Sequence, residues 1–355
     1  MADELSLYEP ILEGPGSSQL ARLMEGMITA QVASVLARLG VPDQLAGGPS
    51  TAAQLAPRVE AAPDALDRLL AAASVYELVS RDTAGRYSLT EAGELLRSDV
   101  PGSARGLAVG FFGPPIWEIF GRLTDVVRNP EPVNPAAPGG VYGYYAGHPE
   151  QAVWFARAMG RFTAVLVSQL TKADFRPLAT GRIVDVGGSR GTLLAYLLQA
   201  LPTASGVLLD RAEALAEAPG YLSGAGVADR AELVTGDFLR EVPPGDLHVL
   251  SHVLHNWDDE HVRAIAAHCH QAGHPGGGLM VIEYLLPGDG EPSLAHIMDL
   301  IMMLVLGGRE RTRAEIETLL GPAGYALVRD TPLTGRLPWR ILEFEWAEPE
   351  GAGRG

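Results

Sequence analysis

Apolar residues in the first part of the chain recur at helical spacing, whereas beyond residue 181 they gather into short runs separated by helical stretches. Residues 17–40, SSQLARLMEGMITAQVASVLARLG, predict an amphipathic helix that stops at Gly40. STAAQLAPRV predicts a short helix opened by a Ser/Thr cap, and APDALDRLLAAASVYELVS a longer one with Pro63 in its first turn. RDTAGRYSLT then reads as a hairpin turning at Ala84-Gly85, and EAGELLRSD as a further helix. Helix, turn, helix and a two-stranded wing make up the winged-helix arrangement. Its second helix carries Arg68 as a lone base among Asp64, Asp67 and Glu77, so packing or dimerisation suits it better than reading DNA.

The stretch RNPEPVNPAAPGGVYGYY breaks the pattern and predicts a long loop between helices, with helical sequence resuming at HPEQAVWFARAMGRFTAVLVSQLTKAD. From residue 181 strands and helices alternate, which predicts an α/β fold with a largely parallel sheet covered by helices. Seven strands are expected, in GRIVDVGG, SGVLLDR, AELVTGDF, DLHVLSHVL, GGLMVIEYLLPG, GYALVRDTPL and WRILEFEWA. AEALAEAPGYLSGAG is expected to be helical. The chain therefore divides into residues 1–105, a winged-helix domain; 106–180, a helical linker region; and 181–348, the sheet domain.

A chain of 355 residues suits two domains, and its 47% hydrophobic content predicts that most of it packs. Its formal net charge of −16 argues against a nucleic-acid or anionic-membrane partner, since such surfaces need clustered Lys and Arg. The N-terminus lacks the basic-then-apolar order of a secretory signal, and no apolar run approaches the ~20 residues that span a bilayer. A cytoplasmic location is the expectation. Cys269 is the single cysteine, which excludes an internal disulfide and a thiolate-rich metal site. It reads as a packed or surface residue of the helix RAIAAHCHQAG.

Chemistry concentrates at the ends of the expected strands. In VDVGGSRGTLL, Gly187, Gly188 and Gly191 let the backbone turn tightly and let a ligand approach; a tight connection without a ligand is the plainer alternative. Asp210, ending the next strand, is placed to accept both ribose hydroxyls of an adenosine. Asp185, ahead of the glycines, would repel a pyrophosphate but suits an ammonium group, so the implied ligand is adenosine attached to something cationic. S-adenosylmethionine fits that description. In GDF, Asp237 can accept from an adenine amine and Phe238 can stack on the ring, or the tripeptide is a strand-end turn with a buried Phe.

SHVLHNWDDEH, residues 251–261, packs three histidines, three acids and a tryptophan together. His252 and His255 are spaced to share a helical face, with Asp258, Asp259 and His261 nearby, so a metal site has to be weighed. Against it, His252 falls at a strand end, and the acidic pair reads as a helix start, where negative charge is favoured. The expectation is no metal, with His252, His261 and both aspartates in plain structural roles.

Taken together, VDVGGSRG, GVLLD, GDF, LSHVLHNWDDE, VIEYLLP and GGRERT resemble the S-adenosylmethionine-dependent O-methyltransferases of the plant caffeate type and their bacterial relatives in aromatic polyketide pathways. The likeness covers nearly the whole chain and implies a dimerising winged-helix domain ahead of a Rossmann-like sheet of seven strands. It implies cofactor contacts at Arg157, Gly187, Asp210, Asp237, Phe238 and Ser251, to which the residues themselves add Asp185, Gly188 and Gly191. His255 matches the catalytic histidine and Glu283 and Glu310 its two flanking glutamates, with Asn256, Trp257, Met302 and Met303 expected near the substrate. The implied activity is methylation of a phenolic hydroxyl of an aromatic natural product, with His255 as general base, by a homodimer joined through the N-terminal domain. Other reactions on the same fold and cofactor, or methylation at N or C, are the alternatives. Ser189 in place of a frequent glycine, Arg211-Ala212 in place of Leu-Pro, and Asn256 in place of aspartate depart from the pattern. The last of these leaves the substrate open.

Overall fold

The computed structural model describes residues 7–8, 11–12, 14–129, 140–335 and 337–347. Residues 130–139 of the breaker stretch, the GAGRG end and most of the acidic N-terminus lie outside them. The chain forms two compact units, residues 1–117 with 148–161 and residues 118–147 with 162–355.

In the first unit the helix Ser17–Leu39 has the expected bounds, and Gly40 closes it at φ 70°, a left-handed conformation that glycine takes without strain. Thr51 opens the helix Ala52–Leu55 with a capping box, its hydroxyl accepting from the Gln54 N–H while the Gln54 side chain accepts from the Thr51 N–H. The helix Pro63–Val75 follows, and β1 (Val79–Arg81) pairs antiparallel with β2 (Tyr87–Leu89). The Asp82 carboxylate accepts from the Ala84 and Arg86 N–H groups and so shapes the predicted turn. Leu36, Leu55, Leu66, Leu70 and Tyr87 form the core of this winged-helix body. The next helix is short, Glu91–Glu94, because Gly93 in its middle weakens it.

Along the helix Ser17–Leu39, Leu20, Leu23, Met24 and Met27 form an apolar stripe left in solvent, Leu23 being 70% exposed. Contrary to the sequence expectation, this helix is by length and mean hydropathy apolar enough to cross a bilayer. Arg22, Glu25 and Arg38 interrupt its apolar residues, so the linear pattern shows no unbroken run.

The second unit is built on β3 (Arg182–Val186), β4 (Ser205–Asp210), β5 (Ala231–Thr235), β6 (Leu247–Ser251), β7 (Gly278–Tyr284), β8 (Tyr325–Pro332) and β9 (Trp339–Trp346), in the order β5-β4-β3-β6-β7-β9-β8. The first five are parallel, and β9 runs antiparallel to both β7 and β8. Alternate residues serve two cores. Ile183, Leu208, Val249 and Ile282 pack on one face, Val184, Leu209, Leu250 and Val281 on the other. Each such side chain contributes about 1.5–3 kcal/mol of burial, which fixes the register. The helix expected over 212–226 contracts to Ala218–Gly224, because Pro219 belongs in a first turn and the residues before it run as turns.

β4 and β5 lie on one side of β3, and β6 and β7 on the other. The winding direction reverses between β3 and β6, and at such a reversal a crevice opens beyond the carboxyl ends of the strands.

Candidate active site

The glycine loop leaves β3 into that crevice. Gly187 (φ 74°) and Gly191 (φ 81°) are left-handed, and a Cβ on Gly188 would overlap the Asp185 carboxylate. Ser189 is left-handed too, at φ 54°, where a side chain costs strain. Its N–H donates to Asp210 Oδ2 at 2.8 Å, and the Arg211 N–H donates to Oδ1 at 2.8 Å. Asp210 thus ties the loop to the end of β4. Ser251 ends β6, the strand that pairs with β3.

Asp185 is buried, and its Oδ2 has no hydrogen-bond partner. Burial, and then the charge of Asp210, push its pKa up to about 7. A buried acceptor without a donor is rare and marks a place where an arriving cation or donor completes the structure. At the end of β5, Asp237 accepts from the Leu239 N–H at 3.0 Å. The Phe238 ring meets Trp257 edge-on, centroids 6.1 Å apart. Burial also raises the pKa of Asp210, against the pull of its two N–H donors.

Beyond β6 the chain makes a turn of 3-10 helix, Leu254–Asn256, that carries His255. His255 is buried, with Nδ1 2.7 Å from Glu310 Oε1 and 3.5 Å from Glu283 Oε2. Glu283, on β7, turns its other oxygen to the backbone of the same turn, where Oε1 accepts from the N–H groups of Val253 (3.1 Å), Leu254 (2.9 Å) and His255 (3.4 Å). Glu310 is held by its own N–H, which donates to Asp299 on the helix Leu294–Val305 at 2.9 Å. With Nδ1 committed to the glutamate, Nε2 is the ring atom left to take a proton. Burial lowers the pKa of His255, with Glu283 opposing. It pushes Glu283 up to about 7, and Glu310 up to about 9 with help from Asp299. The imidazole and the two carboxyls titrate together, with the buried Arg311 opposing a further positive charge on His255 and favouring ionised Glu310.

An O-methyltransferase domain model matches residues 120–326, and an O-methyltransferase dimerisation domain model matches residues 21–99. The chain belongs to the O-methyltransferase family. It is 33% identical over 326 residues to phenazine O-methyltransferase PhzM of Lysobacter antibioticus, covering 91% of this chain and 95% of that one. Against the 8-amino-8-demethylriboflavin N,N-dimethyltransferase of Streptomyces davaonensis it is 33% identical over 343 residues, covering 93% and 96%. A solved structure of the O-methyltransferase NcsB1 from neocarzinostatin biosynthesis, in complex with S-adenosylmethionine and 2-hydroxy-5-methyl naphthoic acid, superposes with a TM-score of 0.73 at 30% identity, covering 90% and 96%.

In this O-methyltransferase the second unit brings together Asp185, Gly187, Gly188, Gly191, Asp210, Asp237, Phe238 and Ser251 at the carboxyl ends of four neighbouring strands. Arg157 belongs to the first unit, where its guanidinium lies over the Trp154 ring, 4.9 Å from the centroid. Asn256 donates from Nδ2 to the His252 carbonyl at 3.1 Å, and so braces the His255 turn. Trp257 packs on Phe238 and lies 5.2 Å from the His261 ring. Met302 is buried and Met303 half-buried on the helix Leu294–Val305. Asp258 caps the helix Asp259–Ala272 through the His261 N–H, as its position suggested. Cys269 is buried in that helix, where burial pushes its thiol up to about 12.

Several residues carry more than their sequence positions suggested. Arg311 is buried and donates to Asp259 (2.8 Å), to the Leu254 carbonyl (3.1 Å) and to the Trp257 carbonyl (2.8 Å), clamping both ends of the His255 turn. Asp259 therefore does more than begin a helix. Gly308 lies so close beneath the turn that a Cβ would overlap the His255 carbonyl, and the Arg309 N–H donates to that carbonyl at 2.9 Å. His252 is not a bland neighbour either, since Trp339 Nε1 donates to its Nε2 at 2.9 Å. The motif GGRERT was the available signal for Gly308 and Arg311. Nothing in the sequence joined Trp339 to His252.

The metal-like grouping formed by the structure is not the one the sequence suggested. Among the described residues, His255, Glu283 and Glu310 are the three whose ligand atoms converge, within 4.8 Å of one another. A separation of 2.7 Å between Nδ1 and Oε1 is that of a charge-assisted hydrogen bond, shorter than two ligands keep across an ion with bonds of about 2 Å. The three form a triad in which His255 Nδ1 is hydrogen-bonded to Glu310 and Glu283 to the backbone of the His255 turn.

Proposed function

We propose that this enzyme transfers a methyl group from S-adenosylmethionine to a phenolic hydroxyl of an aromatic natural product, with His255 taking the hydroxyl proton. The observation that carries the reading is the triad itself, an imidazole with one nitrogen held by a buried carboxylate and the other free to act.

The cofactor residues fit that molecule. Asp185 offers its unpartnered Oδ2 to an ammonium, Asp210 its carboxylate to ribose hydroxyls in exchange for loop N–H groups, and Asp237 and Phe238 an acceptor and a ring face to adenine. S-adenosylmethionine supplies the electrophilic methyl. The chain's own work is to position the acceptor oxygen and remove its proton. A phenol of pKa about 10 lies some three units above neutral pH, so forming the anion unaided costs about 4 kcal/mol. His255 at hydrogen-bond reach lowers that cost, typically by 10²- to 10⁴-fold in rate, and Glu310 fixes its tautomer and stabilises the imidazolium. The remaining acceleration comes from holding the two reacting atoms about 3 Å apart. Asn256, Trp257, Met302 and Met303 are assigned to the acceptor side, and Arg157 to the cofactor.

A homodimer joined through the first unit is supported by the matched dimerisation domain and by the exposed stripe Leu20, Leu23, Met24 and Met27, which a second copy would cover. A soluble cytoplasmic enzyme fits the same reading. The likeness to the riboflavin-type N,N-dimethyltransferase favours a second acceptor class, an aromatic amine, which the same base would serve. Incubation with methyl-labelled S-adenosylmethionine and panels of phenols and arylamines, followed by mass spectrometry, tests the proposal. Label on a ring oxygen supports it, label on nitrogen selects the second reading, and no transfer to any acceptor counts against both.

A further inference from the structure

Ser251 ends β6, which pairs with the strand that leads into the glycine loop, and its neighbour His252 has φ 54°, a strained conformation for a residue with a side chain. The His252 ring is walled by Tyr284 (5.0 Å between centroids), His255 (5.4 Å) and Trp339 (6.1 Å). Trp339 is buried on β9, opposite Tyr284 in the register of β7 and β9. An indole N–H can only donate, and it lies 2.9 Å from His252 Nε2. Nε2 must therefore present its lone pair, and a neutral imidazole then carries its proton on Nδ1. Burial, reinforced by the nearby His255, keeps the ring neutral by lowering its pKa to about 3. Nδ1 lies 3.4 Å from Ser251 Oγ, so the N–H donates to the hydroxyl oxygen.

The chain of donors runs one way, from Trp339 through His252 to Ser251. We infer that Trp339 and His252 are positioning residues that fix the Ser251 hydroxyl as a donor, so that its own proton is offered to a hydrogen-bond acceptor on the cofactor. A ligand group that itself needs an acceptor is discriminated against at this point. The inference rests on the reading of Ser251 as a cofactor contact, and it gives a role to a tryptophan remote from it in sequence.

Two measurements on the full-length protein test it. The first is the ¹⁵N ring spectrum of His252 without ligand, assigned by its loss in His252→Gln. Wild type is expected to show the Nδ1–H tautomer, and Trp339→Phe, which keeps a ring but removes the N–H, a mixture or the opposite tautomer. A wild-type Nε2–H tautomer overturns the inference. The second is binding of S-adenosylhomocysteine by calorimetry. Trp339→Phe and Ser251→Ala are each expected to weaken it about 3- to 10-fold, and the double variant no more than the weaker single, because both remove the same bond. His252→Ala should weaken it likewise, while His252→Gln, whose amide can accept from Trp339 and donate to Ser251, retains affinity within about twofold even if Trp339→Phe does not fold. Weakening by Ser251→Ala but not by Trp339→Phe or His252→Ala sinks the relay and leaves the cofactor reading intact. Wild-type protein that binds no S-adenosylhomocysteine removes the reading beneath it.

Discussion

His255 Nδ1 and Glu310 Oε1 are 2.7 Å apart, whereas Glu283 approaches the same nitrogen with Oε2 at 3.5 Å and spends its other oxygen, Oε1, on three backbone N–H groups. The two glutamates therefore do different work. Glu310 holds the imidazole, and Glu283 holds the turn on which the imidazole stands.

His255→Ala is expected to lower turnover at least a hundredfold while S-adenosylhomocysteine affinity stays within about threefold of wild type. Glu310→Gln should lower kcat with little change in melting temperature. Glu283→Gln can donate where the turn needs an acceptor, so it should also lower the melting temperature. Full turnover by a correctly folded His255→Ala variant removes the histidine from the mechanism.

Burial, the largest influence on His255, lowers its pKa from the ordinary value of about 6.5. The base acts unprotonated, so activity should persist into mild acid, with the acidic limb of kcat/KM centred below pH 6.5. A limb centred above pH 7 would show that a carboxyl, not the imidazole, governs it.

Asp185 has a folded-state pKa of about 7, above its unfolded value of about 3.8. The folded state binds the extra proton, so this contribution is complete at low pH and is lost as pH rises through about 7, by at most about 4 kcal/mol. Asp185→Asn should therefore be more stable than wild type to urea at pH 8, with the advantage shrinking at pH 5. The same variant should bind S-adenosylhomocysteine at least tenfold more weakly. Equal urea midpoints at both pH values would mean that the carboxyl is neutralised by some other group.

If the triad is hydrogen-bonded rather than metal-bound, overnight dialysis against a chelator leaves turnover unchanged. Loss of activity that magnesium or zinc restores reverses that assignment.

Gly308→Ala places a methyl group against the His255 carbonyl. It should cost about 1–3 kcal/mol of stability and lower turnover more than tenfold, since the turn must move to admit it. Wild-type activity in that variant would show that the turn is not held from below.

The strands were legible because residues buried on both faces read as unbroken apolar runs, as in IVDV and VLLD. The glycine loop was legible for a different reason, since backbone that must turn left-handed declares itself as glycine. Asp210 and His255 were found through motifs. Trp339 was not, and Arg311 stood within GGRERT without its role being legible, because hydrogen bonds between residues far apart in sequence leave no periodicity behind. The helix expected over 212–226 was overstated, as a helical composition could not outweigh Pro219.

The clamp on the His255 turn has a consequence for how native structure is judged. Its base is supported by residues 28 and 55 positions away, and its turn by an arginine 57 away. These contacts join the turn after β6 to β7 and to the loop beyond the helix Leu294–Val305. The setting of the His255 ring thus depends on intact tertiary structure, and turnover per molecule is expected to be a stricter gauge of native structure than helix content.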